Sequence, residues 1–306
     1  MKNQKIIFLY LLLLFCGLTA CKKALELNPI TEYANANFWK ETSQATAALN
    51  GAYTLLQSAM GPEGVFYGEA RADNVSQNLT SLNTESLNLL TNNVNSSLRI
   101  TNWSQLYAVV NQTNLIIKNV RLMNQIGLYA NKTAEFNQTL GQAYALRALC
   151  YFNMTRIWGE LPIVTSPLKD ATENYYVAKS DTSQVYHRVE LDLDSATLLL
   201  PTSYSPSQTT KALLTAGAVN AIYTDLYMWR HQYEKALTAS QKILTNTANY
   251  SLTSLTDATA LENTSYARQF THGFSTESIF EIDFNFAERG ARSFYIQVYG
   301  DIGFQP

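Results

Sequence analysis

GQAYALRALCYFNMTRIWGELP, residues 141–162, is the stretch from which the fold reads. Ala143, Leu146, Cys150, Met154 and Ile157 recur at the spacing of one helix face, which predicts a helix from Gly141 to Trp158. Gly159-Glu160-Leu161-Pro162 ends it sharply, because Gly and Pro both punctuate helices. Arg147 falls inside this apolar run. A guanidinium there needs carbonyls or a carboxylate, so a structural role is expected ahead of a ligand contact.

The segments on either side carry the same period. Phe38 to Met60 places Ala45, Ala48, Leu49, Ala52, Tyr53 and Leu56 on one side, with Gly61-Pro62 as the expected stop. Trp103 to Leu122 aligns Trp103, Leu106, Val110, Asn114, Ile117 and Val120. Ser183 is positioned to cap a helix through Leu200, with Val185, Val189, Leu193, Ala196 and Leu200 inward and Pro201 behind it. Lys211 to Trp229 and Tyr233 to Leu244 predict a helix pair joined by a tight turn. In that pair Tyr227, Tyr233 and Ala236 stand at the spacing of a tetratricopeptide repeat, so stacked helix pairs are expected. Residues 61–102, rich in Asn, Ser, Thr and Gly, form a connection too long to be idle, and residues 163–182 read as an extended loop. Glu277 to Phe286 alternates and predicts a strand. The class is mainly α, with long irregular loops and few short strands.

The first residues have a different logic. Lys2 and Lys5 precede the apolar run Ile6 to Phe15, and small residues lead to Leu18-Thr19-Ala20-Cys21. A basic start, a short apolar core and a small-residue cleavage site describe a secretory signal over residues 1–20, too short to span a bilayer. Cysteine directly after Leu-Thr-Ala resembles the bacterial lipobox, which makes Cys21 the expected lipidation site and the acyl chains the membrane anchor.

Composition excludes several functions. Removing residues 1–20, which carry two lysines and no acid, leaves 286 residues with 20 basic and 24 acidic groups. That balance gives no reason to expect nucleic acid as a partner. Of the cysteines Cys16, Cys21 and Cys150, only Cys150 remains for the folded body, so no internal disulfide is expected. His187, His231 and His272 lie far apart, with no His-x-x-x-His or Cys-x-x-Cys pairing, and no metal or cofactor is expected. Neither a Gly-x-Ser-x-Gly elbow nor a phosphate-cradling glycine loop occurs. Glu281 and Asp283 would share a strand face, a pairing a glycosidase can use, although solvent-facing positions on a half-buried strand are the commoner case. The expectation is no enzyme. Nineteen tyrosines against four tryptophans, with abundant Asn, Ser and Thr, suit stacking on neutral polar ligands as well as packing between helices.

Five stretches in order carry a resemblance. They are Phe38-Trp39 with Ala48-Leu49-Asn50-Gly51-Ala52-Tyr53; Trp103-Ser-Gln-Leu-Tyr107 with Asn114-Leu-Ile-Ile117; Ala143-Tyr-Ala-Leu-Arg147-Ala148 through Trp158-Gly159-Glu160-Leu161-Pro162; Val185-Tyr186 with Asp192-Leu193 through Leu200-Pro201; and Ser275-Thr-Glu277-Ser-Ile-Phe280-Glu281. Together, behind a lipobox, they resemble the SusD/RagB family of outer-membrane nutrient-binding lipoproteins. The resemblance implies a SusD-like helical scaffold with tetratricopeptide-like pairs. It implies a surface lipoprotein of the outer membrane that captures an oligosaccharide for a SusC-like TonB-dependent transporter, without bond chemistry. A peptide-binding or scaffolding role in the same complex is the alternative. Residues 21–306 then correspond to the family's N-terminal region, with its C-terminal part incomplete. Phe66, Tyr67, Asp73 and Asn74 lie where the family places part of its binding surface, and the same residues can equally pin the loop to the helices. Trp103 fits a ligand platform or a core position, and Tyr295, beside Phe294 and Tyr299, belongs to a possible second aromatic patch.

Overall fold

A near-continuous apolar sequence in a helix demands cover on every side, and the central helix of this chain receives it. The computed structural model describes residues 38–65, 67, 68, 72, 84–168, 176–252 and 273–282. Residues 1–40 and 41–306 form two compact units. In the first, Phe38 and Trp39 meet edge to face with ring centroids 4.9 Å apart. The described helices lie in the second: α1 Thr42–Val65, α2 Thr84–Leu90, a 3-10 turn Arg99–Thr101, α3 Ser104–Gln125, α4 Thr133–Trp158, α5 Thr182–Leu199, α6 Ser207–Ala212, α7 Ala216–Trp229 and α8 Tyr233–Leu244. A two-residue ladder sits between α4 and α5. It pairs β1, Leu161–Pro162, antiparallel to β2, Lys179–Ser180, with Leu161 opposite Ser180 and Pro162 opposite Lys179.

The long helices stack nearly in chain order: α3 packs on α1 and α4, α4 on α5, α5 on α7, and α7 on α8. Ile116 and Val120 of α3, Leu146 and Met154 of α4, Val189 and Leu193 of α5, and Leu226 of α7 fill the seams and are fully buried. Close helix contact is helped by small residues, notably Ala236 and Ala239 where α8 meets α7. The mainly helical class with paired, stacked helices is what the periodicity predicts.

Several boundaries differ, for local reasons. The central helix starts at Thr133, eight residues before Gly141, and Gly141 is an interior position. There a β carbon would meet Leu200 Cγ at 2.8 Å, so glycine lets the end of α5 approach. The expected stop at Trp158 holds: Gly159 takes φ 75°, and its N–H donates to the Thr155 carbonyl at 3.0 Å. Helix α1 runs through Gly61-Pro62 to Val65, so the expected stop falls inside its last turn. Asp181, rather than Ser183, caps α5. Its carboxylate accepts from the Gln184 N–H at 2.9 Å while the Gln184 side chain accepts from the Asp181 N–H at 3.2 Å. The predicted helix from Lys211 divides into α6 and α7 around Leu213–Thr215, where the Thr215 hydroxyl caps the new helix at the Ala218 N–H. Residues 277–282 form no strand. Instead both Glu281 carboxylate oxygens accept from the Phe274 N–H at 2.9 Å, and the Ser278 hydroxyl donates to the same carboxylate. Asp283 lies outside the described residues, and the engaged carboxylate of Glu281 is a turn lock.

Arg147 is the polar centre of the stack. Its Nε and Nη2 donate to the two oxygens of Asp192 at 2.8 and 2.7 Å, and its Nη1 donates to Asn114 Oδ1 at 2.6 Å. Asn114 in turn donates to the carbonyls of Val164 and Ser166 at 3.0 and 3.3 Å. Arg188 reaches Asp192 from one turn earlier on α5, at 2.5 Å. Three helices and the strap 163–168 are thus tied through one buried carboxylate. Tyr151 adds to the strap, donating to the Val164 carbonyl at 2.9 Å and accepting from its N–H at 2.7 Å.

Candidate functional site

Where α4 ends and α3 begins, four aromatic rings meet. Trp158 is the last residue of α4, Trp103 immediately precedes α3, and Tyr107 follows Trp103 by one helical turn. Trp103 and Trp158 have centroids 6.1 Å apart at 71°, Trp103 and Tyr107 5.8 Å at 74°, and Tyr67 and Trp158 5.7 Å at 75°. These are edge-to-face contacts, which fix ring orientation while leaving edges and faces at the rim. All four side chains are half-buried. Behind them Tyr107 meets Tyr151 at 6.4 Å, and Tyr67 backs onto buried Leu89, Leu98 and Ile100.

Hydrogen bonds hold the polar atoms of two of the rings. Trp158 Nε1–H donates to the Thr101 carbonyl at 3.2 Å, and the Tyr107 hydroxyl donates to the Pro162 carbonyl at 2.7 Å. Burial pushes the Tyr107 phenol well above its ordinary pKa, so it remains a neutral donor. The β1–β2 ladder then brings Lys179 across, with its Nζ 5.5 Å from the centroid of the Trp103 ring.

Of the residues expected from sequence, Tyr67 and Trp103 come together here, each packed against Trp158. Phe66, Asp73, Asn74, Tyr295 and the lipidation candidate Cys21 lie outside the described residues. Sequence reading missed Trp158, Tyr107 and Lys179 as site residues. The spacing of four between Trp103 and Tyr107 was a readable signal for one of them, since such pairs share a helix side.

A concavity lies along the tetratricopeptide-like pair, between α5, α7 and α8, with a volume of about 400 Å³. Asp194, Tyr223, Tyr227, Lys235 and Lys242 are among its lining residues. Tyr223 stacks on Tyr227 with centroids 5.5 Å apart and donates to Asp194 at 2.5 Å. Burial first, and the Asp194 contact second, raise the Tyr223 phenol far above its usual range. Among the described residues there is no group of three metal-binding side chains, and no helix is long and apolar enough to cross a membrane.

The described residues thus form a stack of helix pairs that carries an aromatic rim. The chain belongs to the SusD-like family: the model of that family, described as starch-binding and associating with the outer membrane, matches residues 35–228. SusD-like protein P38 of Formosa agariphila is 30% identical over 254 residues, 82% of this chain and 47% of the relative. A SusD superfamily protein from Bacteroides vulgatus superposes with TM-score 0.65 at 21% identity, covering 80% of this chain and 50% of that one. A laminarin-binding SusD-like protein gives TM-score 0.63 at 21% identity, covering 79% and 51%. The chain spans about half the length of the curated relatives it matches.

Proposed function

We propose that this chain captures an oligosaccharide at the rim formed by Tyr67, Trp103, Tyr107 and Trp158, and passes it to a SusC-like TonB-dependent outer-membrane transporter. The observation that carries this reading is the convergence of four oriented, half-open aromatic rings inside the span matched by a starch-binding family. Ring edges and faces take the apolar faces of pyranoses, and the sugar hydroxyls find donors and acceptors at the periphery. Phe66, Asp73 and Asn74, which follow α1 on the same segment as Tyr67, serve as flanking contacts in this reading, and Tyr295 supplies a further aromatic surface. Residues 1–20 act as a signal peptide, and acyl chains on Cys21 hold the protein to the outer membrane at the cell surface. Glycan binding by the laminarin-binding relative supports the ligand class. No covalent step is involved.

The test is calorimetric titration with soluble oligosaccharides. Trp103→Ala should weaken binding by about tenfold or more, the loss typical of an aromatic anchor, with an unchanged circular dichroism spectrum. Full affinity in that variant, or no affinity for any glycan in the parent chain, refutes the site. A scaffolding role has the groove along α5, α7 and α8 in its favour. Copurification of a TonB-dependent barrel that persists in Trp103→Ala and is lost in Tyr227→Ala would select it.

A further inference from the structure

Lys179 brings a cation to the aromatic rim, with no ion-pair partner among the described residues. Its position is set twice, by the ladder that pairs it with Pro162 and by the Trp103 ring, 5.5 Å from its Nζ. Arginines elsewhere in the stack have acidic partners: Arg156 pairs with Asp225, Arg147 and Arg188 share Asp192, and Arg230 takes Glu190. Lys179 makes no ion pair with any described residue, and its side chain is exposed. An ammonium has three N–H donors. The indole engages one side of it, so donors remain directed outward.

We infer that the rim selects acidic glycans, with a sugar carboxylate seated on the Lys179 ammonium while the pyranose ring lies against the adjoining aromatic rings. The inference rests on the reading of this cluster as a glycan site. Its argument is one of differential strength. A neutral hydroxyl offers Lys179 an ordinary hydrogen bond, whereas a carboxylate offers a charge-assisted one, roughly twice as strong. The ordering cost is small, because the cation–π contact and the ladder hold the lysine near its working position before ligand arrives. The exposed setting keeps the ammonium solvated, so the gain is a selectivity of about tenfold rather than thousands.

The experiment titrates the full chain with three hexasaccharides of one linkage: an all-glucose oligomer, its all-glucuronate counterpart, and a sulfated glucose oligomer. The expected result is glucuronate binding about tenfold tighter than glucose, with the ratio shrinking as sodium chloride rises, since salt screens exposed charges. Lys179→Gln should bring the ratio to about one, and Lys179→Arg should preserve it. Equal or tighter binding of the neutral oligomer overturns the inference and leaves the glycan site standing. A glucuronate preference that survives Lys179→Gln overturns the role of the lysine. Preference for the sulfated oligomer alone overturns the carboxylate assignment. Binding of none of the three overturns the glycan site, and this inference with it.

Discussion

Arg147 and Asp192 have almost no solvent contact, and each satisfies the other through two hydrogen bonds. The net gain over an apolar pair is small, because desolvating both charges offsets most of their attraction. Breaking the pair is another matter. Arg147→Met should destabilise the chain by about 3–5 kcal/mol, since Asp192 would keep its charge in the core with only the partly exposed Arg188 against it. Arg147→Met with Asp192→Leu should recover most of that loss. Urea denaturation of both variants checks it, and a single-variant cost below about 1 kcal/mol would sink the argument. Two neighbours make a second prediction. Burial pushes both the Cys150 thiol and the Tyr151 phenol up to about 12. Both are acids favoured in their neutral form by the fold, so their contribution is intact below the unfolded pKa values of 9 to 10 and is lost as pH rises towards 12. Each accounts for roughly 2–4 kcal/mol of that loss. Stability measured by urea titration should therefore fall between pH 9 and 12, and less steeply in Tyr151→Phe. An identical slope in Tyr151→Phe would show that the phenol does not participate.

Elements meet at close range, and glycine shows how close. Gly141→Ala improves helix propensity by about 1 kcal/mol, yet its β carbon would come within 2.8 Å of Leu200 Cγ and 3.0 Å of Leu199 Cβ. Overpacking of this kind costs about 1–3 kcal/mol, so the clash outweighs propensity and the variant should melt earlier. A higher melting temperature would mean that α5 can retreat at little cost. At the start of α5, Asp181→Ala should remove the capping box and raise hydrogen exchange at the Gln184 amide. These two sites also mark what could be read from sequence. Helix α8 was legible to both ends, because its apolar spacing is bounded by turn residues, and so was the stop at Trp158, where Gly159 adopts a positive φ. The start of α4 was not, since Thr133 to Leu140 is polar on its exposed side and Gly141 imitates a breaker. Nor was the ladder of two residues on each strand, too short to show any period, and it is this ladder that brings Lys179 to Trp103. The encounter of Tyr67 with Trp103 through Trp158 is a tertiary event: each residue was a candidate alone, and they are joined by the packing of α3 against α4 together with the seating of Tyr67 on Leu89, Leu98 and Ile100.

At the scale of the whole molecule, α8 presents a face that water does not favour. Tyr233, Leu237 and Leu244 fall on one side of α8 by their spacing, and each is more than half exposed, at 57%, 53% and 66%. Interior helices of the stack pack on both flanks, whereas among the described elements α8 packs mainly on α7. Aligned apolar side chains on an open helix face favour self-association, and the helix carries one acid, Glu234, against Lys235 and Lys242, so only a weak like-charge field opposes contact. The chain should therefore associate as its concentration rises. Sedimentation equilibrium should show a weight-average mass that increases with loading, while Leu237→Lys with Leu244→Lys should remain monomeric because two ammonium groups would have to be desolvated in the contact. The parent and the double variant should keep the same helical content and the same affinity for glycan, since the stripe lies on α8 and the aromatic rim on α3 and α4. If the double variant associates as strongly as the parent, the contact lies elsewhere on the molecule; if both remain monomeric, the stripe is tolerated as an ordinary exposed surface.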